Sequence, residues 1–175
     1  MADDYFQLFG LTAGFDIDLG ELSQRYRHLQ RSLHPDRFAQ ASQREQRLAV
    51  QRAALINDAY DTLKDPVKRG KYLLRQRGLD VDQDTPQLDA EFLMQQMSLR
   101  EALEQARAAA QPQQHLLPLR EQTQARCDAL QAELAQALRQ DTDETLQNAA
   151  RLVHKLQFFH KLLAEIAQLE HELDD

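Results

Sequence analysis

The chain has 175 residues, 42% of them hydrophobic and 28% charged, a balance that suits one globular domain or two small ones and excludes a disordered chain. Its formal net charge of −7 argues against nucleic acid as the main partner, and no stretch approaches the roughly 20 apolar residues of a membrane span. Five glycines and five prolines, set among many Gln, Ala, Leu, Glu and Arg, favour an almost wholly helical fold.

In chain order, Asp4 to Phe9 reads as a short helix ended by Gly10. A second helix starts near Asp18 and runs to Leu33, with Leu22, Tyr26, Leu29 and Leu33 on its apolar stripe. Pro35 has no N–H and pushes His34 out of the α region, so that helix stops before it. After a loop to Ser42, Ala49, Ala53, Ile56, Tyr60 and Leu63 mark a long third helix over Gln43–Lys64. Two amphipathic helices joined by a short polar loop make an antiparallel hairpin, with His34-Pro35-Asp36 at its tip. On these residues alone, the tripeptide is either a functional tip or a proline turn in which Asp36 caps the next helix.

Asp65-Pro66 supplies an N-cap and a first-turn proline for a fourth helix to about Arg77, with Gly70 a weak point inside it. Gly78 to Gln87 holds three aspartates, a glycine and a proline without helical periodicity, and reads as a linker. It separates an N-terminal domain, 1–77, from a C-terminal one, 88–175. Three helices follow at about Leu88–Ala110, Leu117–Arg139 and Asp143–Leu173. The short connections, with Pro112 and Pro118 expected in a turn, favour an antiparallel three-helix bundle over a long dimeric coiled coil. Charge divides the same way: residues 1–76 carry 12 Lys+Arg against 10 Asp+Glu, and residues 77–175 carry 9 against 18. Two electrostatic characters suggest two partners.

Metal and redox chemistry find little support. Cys127 is the only cysteine and shares an apolar stripe with Thr123, Leu130, Leu134 and Ala137, as a buried thiol would. The six histidines lack ligand spacing, so no metal and no cofactor is expected. His34 beside Asp36 could serve as a general base only with a nucleophile or substrate pocket. No G-x-S-x-G, reactive-cysteine context or phosphate-cradling loop supplies one, and no enzymatic activity is expected.

On the first helix of the C-terminal part, Phe92, Leu99, Leu103 and Ala106 share one face, enough to join a bundle. Leu93, Met94 and Met97 project to the other side, beside Glu101, Glu104 and Gln105. This second apolar stripe is either core, if the helix is buried on two sides, or an adaptable docking surface.

Four segments now stand in order: Asp4-Tyr5-Phe6-Gln7-Leu8-Phe9-Gly10-Leu11, Tyr26-Arg27-His28-Leu29, His34-Pro35-Asp36-Arg37-Phe38 and Ile56-Asn57-Asp58-Ala59-Tyr60-Asp61-Thr62-Leu63. Together they resemble a J domain. With Lys71-Tyr72-Leu73-Leu74, the linker and the C-terminal helices, the whole chain is similar to the HscB family of iron–sulfur-cluster co-chaperones. It has no N-terminal cysteine-rich extension and so resembles the bacterial form. With no signal-peptide core behind Met1-Ala2-Asp3-Asp4, a cytoplasmic protein is expected.

The resemblance implies an all-α fold, a J domain followed by a three-helix bundle. It implies that His34, Pro35, Asp36 and Arg37, with Arg25, Arg27 and Arg31 as a basic face, bind an HscA-type, DnaK-class chaperone and accelerate its ATP hydrolysis. Arg37 stands where many J domains carry lysine, which keeps the charge. It further implies that Leu93, Met94, Met97 and Glu101, with Phe158 on the last helix, bind the scaffold protein on which iron–sulfur clusters are built; of the neighbours Phe158 and Phe159 one faces outward, and the sequence leaves open which. Ser98 and Gln105 stand where relatives often carry acids, so the charged part of that surface is reduced. Rival readings are a general J-domain co-chaperone for unfolded clients, or a structural helical adaptor without a chaperone partner.

Overall fold

The computed structural model describes residues 4–83, 87, 89–140 and 142–174. Its helices are α1 (Tyr5–Leu8), α2 (Leu19–Ser32), α3 (Gln43–Lys64), α4 (Pro66–Gln76), α5 (Ala90–Ala108), α6 (Pro112–Arg139) and α7 (Asp143–Asp174), with a 3₁₀ turn over Pro35–Phe38. They form two compact units, 1–73 and 74–175, so the boundary falls inside α4.

Each start in the first unit has a local cause. Asp4 accepts from the Phe6 amide, Asp18 from Glu21 and Asp65 from Lys68. Ser42 and Glu45 form a reciprocal capping box at the head of α3, with the Ser42 amide donating to Glu45 Oε2 at 2.9 Å. α1 ends in a Schellman motif: Leu11 N–H donates to Phe6 O and Gly10 N–H to Gln7 O, with Gly10 at φ +62°. That positive φ is what calls for glycine; a Cβ there would also sit 2.8 Å from Arg25 Nη1, the mobile end of a side chain that could shift to make room.

α2 and α3 pack as the expected antiparallel hairpin, and α1 lies against α3. The buried centre is Phe6, Phe9, Phe15, Leu22, Ile56, Ala59 and Leu63. Of the expected α2 stripe only Leu22 is fully enclosed; Tyr26, Leu29 and Leu33 are half-buried. Tyr26 instead stacks on Tyr60 with ring centroids 3.9 Å apart and donates its hydroxyl to Asn57. Aromatic stacking thus stands in for full enclosure at Tyr26.

Arg69, only 5% exposed, joins the end of α3 to α4. Its Nη1 donates to Leu63 O at 2.7 Å and its guanidinium lies over the Phe15 ring at 4.6 Å. Its Nε has no hydrogen-bond partner among the described residues. Burial pulls the guanidinium pKa down, against the carboxylates of Asp65 and Asp16, which raise it.

In the second unit α6 packs along α7, and α5 packs on both, giving a three-helix bundle. Thr123, Cys127, Leu130, Leu134 and Ala137 are all buried on α6. α6 differs from expectation at its start. The stretch read as a turn up to Leu116 is helical from Pro112, which occupies the first-turn position, and Pro118 lies inside the helix. Pro118 removes only the bond that its amide would have made to Gln114. Leu116 and Leu119, both buried, hold the first turns against the bundle. Thr142 caps α7 by accepting from the Thr145 amide at 3.2 Å.

A second Schellman motif ends α4, with Gly78 at φ +83° and Leu79 N–H donating to Leu74 O at 3.0 Å. The stretch read as the start of a linker is laid onto the second unit. Leu79 and Val81 are buried, Arg77 donates to Leu138 O, and His154 Nε2 lies 3.2 Å from Val81 O. Asp84, Thr85, Pro86 and Leu88 of the expected linker and following helix lie outside the described residues, as do Met1–Asp3, Asp141 and Asp175.

Two outcomes follow. Arg69→Met keeps the stem but leaves Leu63 O without its donor, and should destabilise the first unit by about 1–3 kcal/mol, read as an earlier urea transition in far-UV circular dichroism. Cys127 is fully enclosed, and burial, with the Asp128 carboxylate second, pushes its thiol from 9.0 up to about 11. It should resist thiol reagents until the chain unfolds. Between pH 9.0 and about 11 only the unfolded thiol ionises, so the thiol's contribution to stability should fall as pH rises through that window in an alkaline titration, and Cys127→Ala should make the fall shallower.

Candidate functional site

Two surfaces in this fold offer chemistry that packing does not consume. The first is the hairpin tip. His34 has extended backbone (φ −59°, ψ 135°) and caps the 3₁₀ turn, with Pro35 in the first position where its missing N–H is harmless. The Arg37 amide donates to His34 O at 3.0 Å, closing the turn. Gln46 of α3 donates to both Phe38 O and Ala41 O, at 3.1 and 3.2 Å, and ties the loop to the hairpin. The tip is therefore a stiff platform rather than a loose loop.

Asp36 points outward with its side chain 92% exposed. His34 Nδ1 accepts from the Asp36 amide at 3.3 Å and lies 3.4 Å from Asp36 Oδ2. The same nitrogen cannot do both: with its lone pair on the amide it carries no proton, and the carboxylate approach becomes an ion pair only on a protonated ring. In either form Asp36 keeps free acceptor sites facing solvent, suited to bidentate pairing with an arginine. Beneath the tip runs an open groove of ≈ 290 Å³ lined by Leu33, Pro35, Phe38, Ala39, Gln46, Ala49 and Val50, with no nucleophile in it.

The arginines of the expected basic face divide. Arg27, Arg31 and Arg37 are exposed. Arg25 is half-buried, donates to Phe9 O and Gly10 O at the end of α1 and pairs with Glu21. It holds α1 to α2. Among the described residues, no group of three or more His, Cys, Asp or Glu side chains is placed to hold a metal ion, and no helix is long and apolar enough to cross a membrane.

The second surface lies on α5. Phe92, Leu99, Leu103 and Ala106 are buried against the bundle, whereas Leu93, Met94 and Met97 are 47%, 71% and 73% exposed. Glu101 is exposed beside them and accepts from the Gln105 side chain at 3.2 Å. On α7, Phe159 is enclosed and Phe158 half-exposed. The Phe158 ring meets Phe92 edge-on at 5.8 Å and 89°, and Phe159 at 5.3 Å and 78°. Phe92 thus links α5 to α7: its ring belongs to the core and supports the half-exposed Phe158.

Two cations at this surface escaped the sequence reading. Arg100 sits 5.5 Å over the Phe158 ring and pairs with Glu165. Lys155 sits 5.3 Å over the Phe92 ring and 3.0 Å from Asp89 Oδ2. The Lys155 ammonium, followed by the Phe92 amide, holds the Asp89 carboxyl below the usual carboxylate range. A signal existed: Arg100 lies three residues after Met97, and Lys155 three before Phe158, each one helical turn from an aromatic or apolar surface residue.

Comparison with known proteins follows the same division of the chain. The DnaJ domain family matches residues 4–72, and the HSCB C-terminal oligomerisation domain family matches residues 88–167. A co-chaperone protein HscB homolog from Shewanella loihica is 42% identical over 171 residues, covering 97% of this chain and 99% of that protein. The solved chaperone HscB from Vibrio cholerae is 41% identical, with a TM-score of 0.86 over 98% of this chain and 99% of that one. The human co-chaperone protein HscB is 28% identical, with a TM-score of 0.85 over 97% and 83%.

Proposed function

The chain belongs to the HscB family of co-chaperones, and from that membership we propose that it works in iron–sulfur cluster biogenesis as an adaptor between two proteins. In this reading the α5–α7 surface holds the cluster-assembly scaffold protein through Leu93, Met94, Met97, Glu101 and Phe158. The J-domain tip engages an HscA-type, DnaK-class chaperone through His34, Pro35, Asp36 and Arg37. Arg27 and Arg31 steer the approach to an acidic face, while Arg25 acts indirectly by fixing α2. ATP is hydrolysed by the chaperone, in the cytosol, and no cofactor is needed on this chain.

One observation carries the proposal: a single chain pairs a rigid, outward carboxylate at a hairpin tip with an uncovered apolar strip on a separate unit. The carboxylate suits an arginine on a folded ATPase. Methionines beside a half-exposed phenylalanine suit an adaptable contact with a protein surface. Joining the two raises the effective concentration of scaffold at the chaperone without any new contact.

The two halves should separate by mutation. Asp36→Asn should lower stimulation of the chaperone ATPase by roughly one to two orders of magnitude while scaffold affinity stays the same. Leu93→Ala with Met97→Ala should weaken scaffold binding by about 30-fold or more and leave stimulation without scaffold intact. Steady-state ATP turnover and calorimetric titration read the two effects; full stimulation by Asp36→Asn would end the mechanism, and unchanged affinity in the double variant would end the scaffold site.

A further inference from the structure

Phe158 is the one aromatic ring of the proposed scaffold-binding surface, and it stands only half-buried. A phenylalanine at a helix surface has more than one staggered χ1 well, and a ring that changes wells presents a different shape to a partner. Phe92 and Phe159 meet the ring on its inner side, at 5.8 and 5.3 Å between centroids. Arg100 also reaches it: its guanidinium carbon lies 5.5 Å from the ring centroid, within range of a cation–π contact. Arg100 is itself held: its Nη1 pairs with Glu165, two turns along α7 from Phe158.

The position of Arg100 on α5 matters as much as the contact. At roughly 100° per residue it falls within about 20° of Leu93 and about 60° of Met97, at the seam between the buried and the exposed stripes. There it reaches across to α7 beside the point where Phe158 emerges. Glu165 neutralises its charge, so the strip beside it stays apolar in character.

We propose that Arg100 is a positioning residue for the scaffold-binding surface, fixing the Phe158 ring in its binding orientation, with Glu165 fixing Arg100. The inference rests on the scaffold site proposed above and adds to it the device that sets its shape before the partner arrives. Ordering the ring in advance removes part of the entropy that binding would otherwise lose. A purely structural role, pinning α5 to α7, is the competing explanation. Half-exposed ion pairs of this kind add little to stability, so the two roles differ in what they move.

The test is a double-mutant cycle on the full chain, titrating the metal-free scaffold protein by calorimetry and recording thermal unfolding of each variant. Arg100→Met keeps the aliphatic stem and removes the planar cation. It should weaken binding on the order of 3- to 10-fold with little change in the melting midpoint. Arg100→Lys should recover part of the loss, and Glu165→Gln should reproduce it in weaker form. In a Phe158→Ala background Arg100→Met should have no further effect, because its action passes through the ring. Additive losses would overturn the proposal, as would a lowered melting midpoint that accounts for the loss in Arg100→Met. A loss in Phe158→Ala with full affinity in Arg100→Met overturns the positioning role alone. Full affinity in Phe158→Ala overturns it together with the scaffold site beneath it.

Discussion

The last carbonyl groups of a helix have no amide to receive, and in an all-helical chain that constraint recurs at every turn. Here long polar side chains answer it from a distance. Arg25 donates to the carbonyls of Phe9 and Gly10, Gln46 to those of Phe38 and Ala41, Arg69 to Leu63 and Arg77 to Leu138. Each of these donors belongs to a different element from its acceptors or to the turn beyond them. The same bonds that satisfy helix ends therefore also set where the next element goes. The hairpin tip depends on them directly: Gln46 satisfies the carbonyls of Phe38 and Ala41 and so ties the loop that carries Asp36 to α3.

The two surfaces achieve availability by different means. Asp36 is exposed because it stands in the turn at the hairpin tip, and its carboxylate keeps acceptor sites facing solvent. The α5 strip is exposed because the helix joins the bundle by its other face, and the side chains left over are two flexible methionines and a leucine. The first arrangement suits a directional ion pair, the second a contact that adjusts to shape. Charge follows this division, with the balance slightly positive through residue 76 and strongly negative beyond it.

Much of the fold was legible because helix boundaries are written in local chemistry. Gly10 and Asp65-Pro66 read as such signals; Ser42 with Glu45 and Gly78 read only as the end of a loop and the start of a linker, yet they act within the same few residues, and the structure uses all of them as caps. Pro118 was misleading because a proline marks a turn only where nothing outweighs its lost hydrogen bond; burial of Leu116 and Leu119 does. Leu79 and Val81 were hidden among aspartates, since two apolar residues make no periodicity, and only the bundle's surface shows where they fit. The exposed strip could be seen as a second stripe, but whether a stripe is covered is a tertiary fact. Arg100 and Phe158 meet across two helices far apart in the chain, and no local pattern announces such a pair.

The Schellman turn at Gly78 has a consequence for taking the molecule apart. By sending the chain back so that Leu79 and Val81 are buried with the second unit, it makes the first stretch of the aspartate-rich segment part of that unit's interior. A fragment begun at the head of α5 would lack those two plugs and the donor to Leu138 O, and would leave His154 without the Val81 carbonyl. A fragment begun at Leu74 would keep them but sever α4 in mid-helix. The two surfaces can be altered one at a time by point substitution, yet the polypeptide has no clean place to cut on the near side of Gln83.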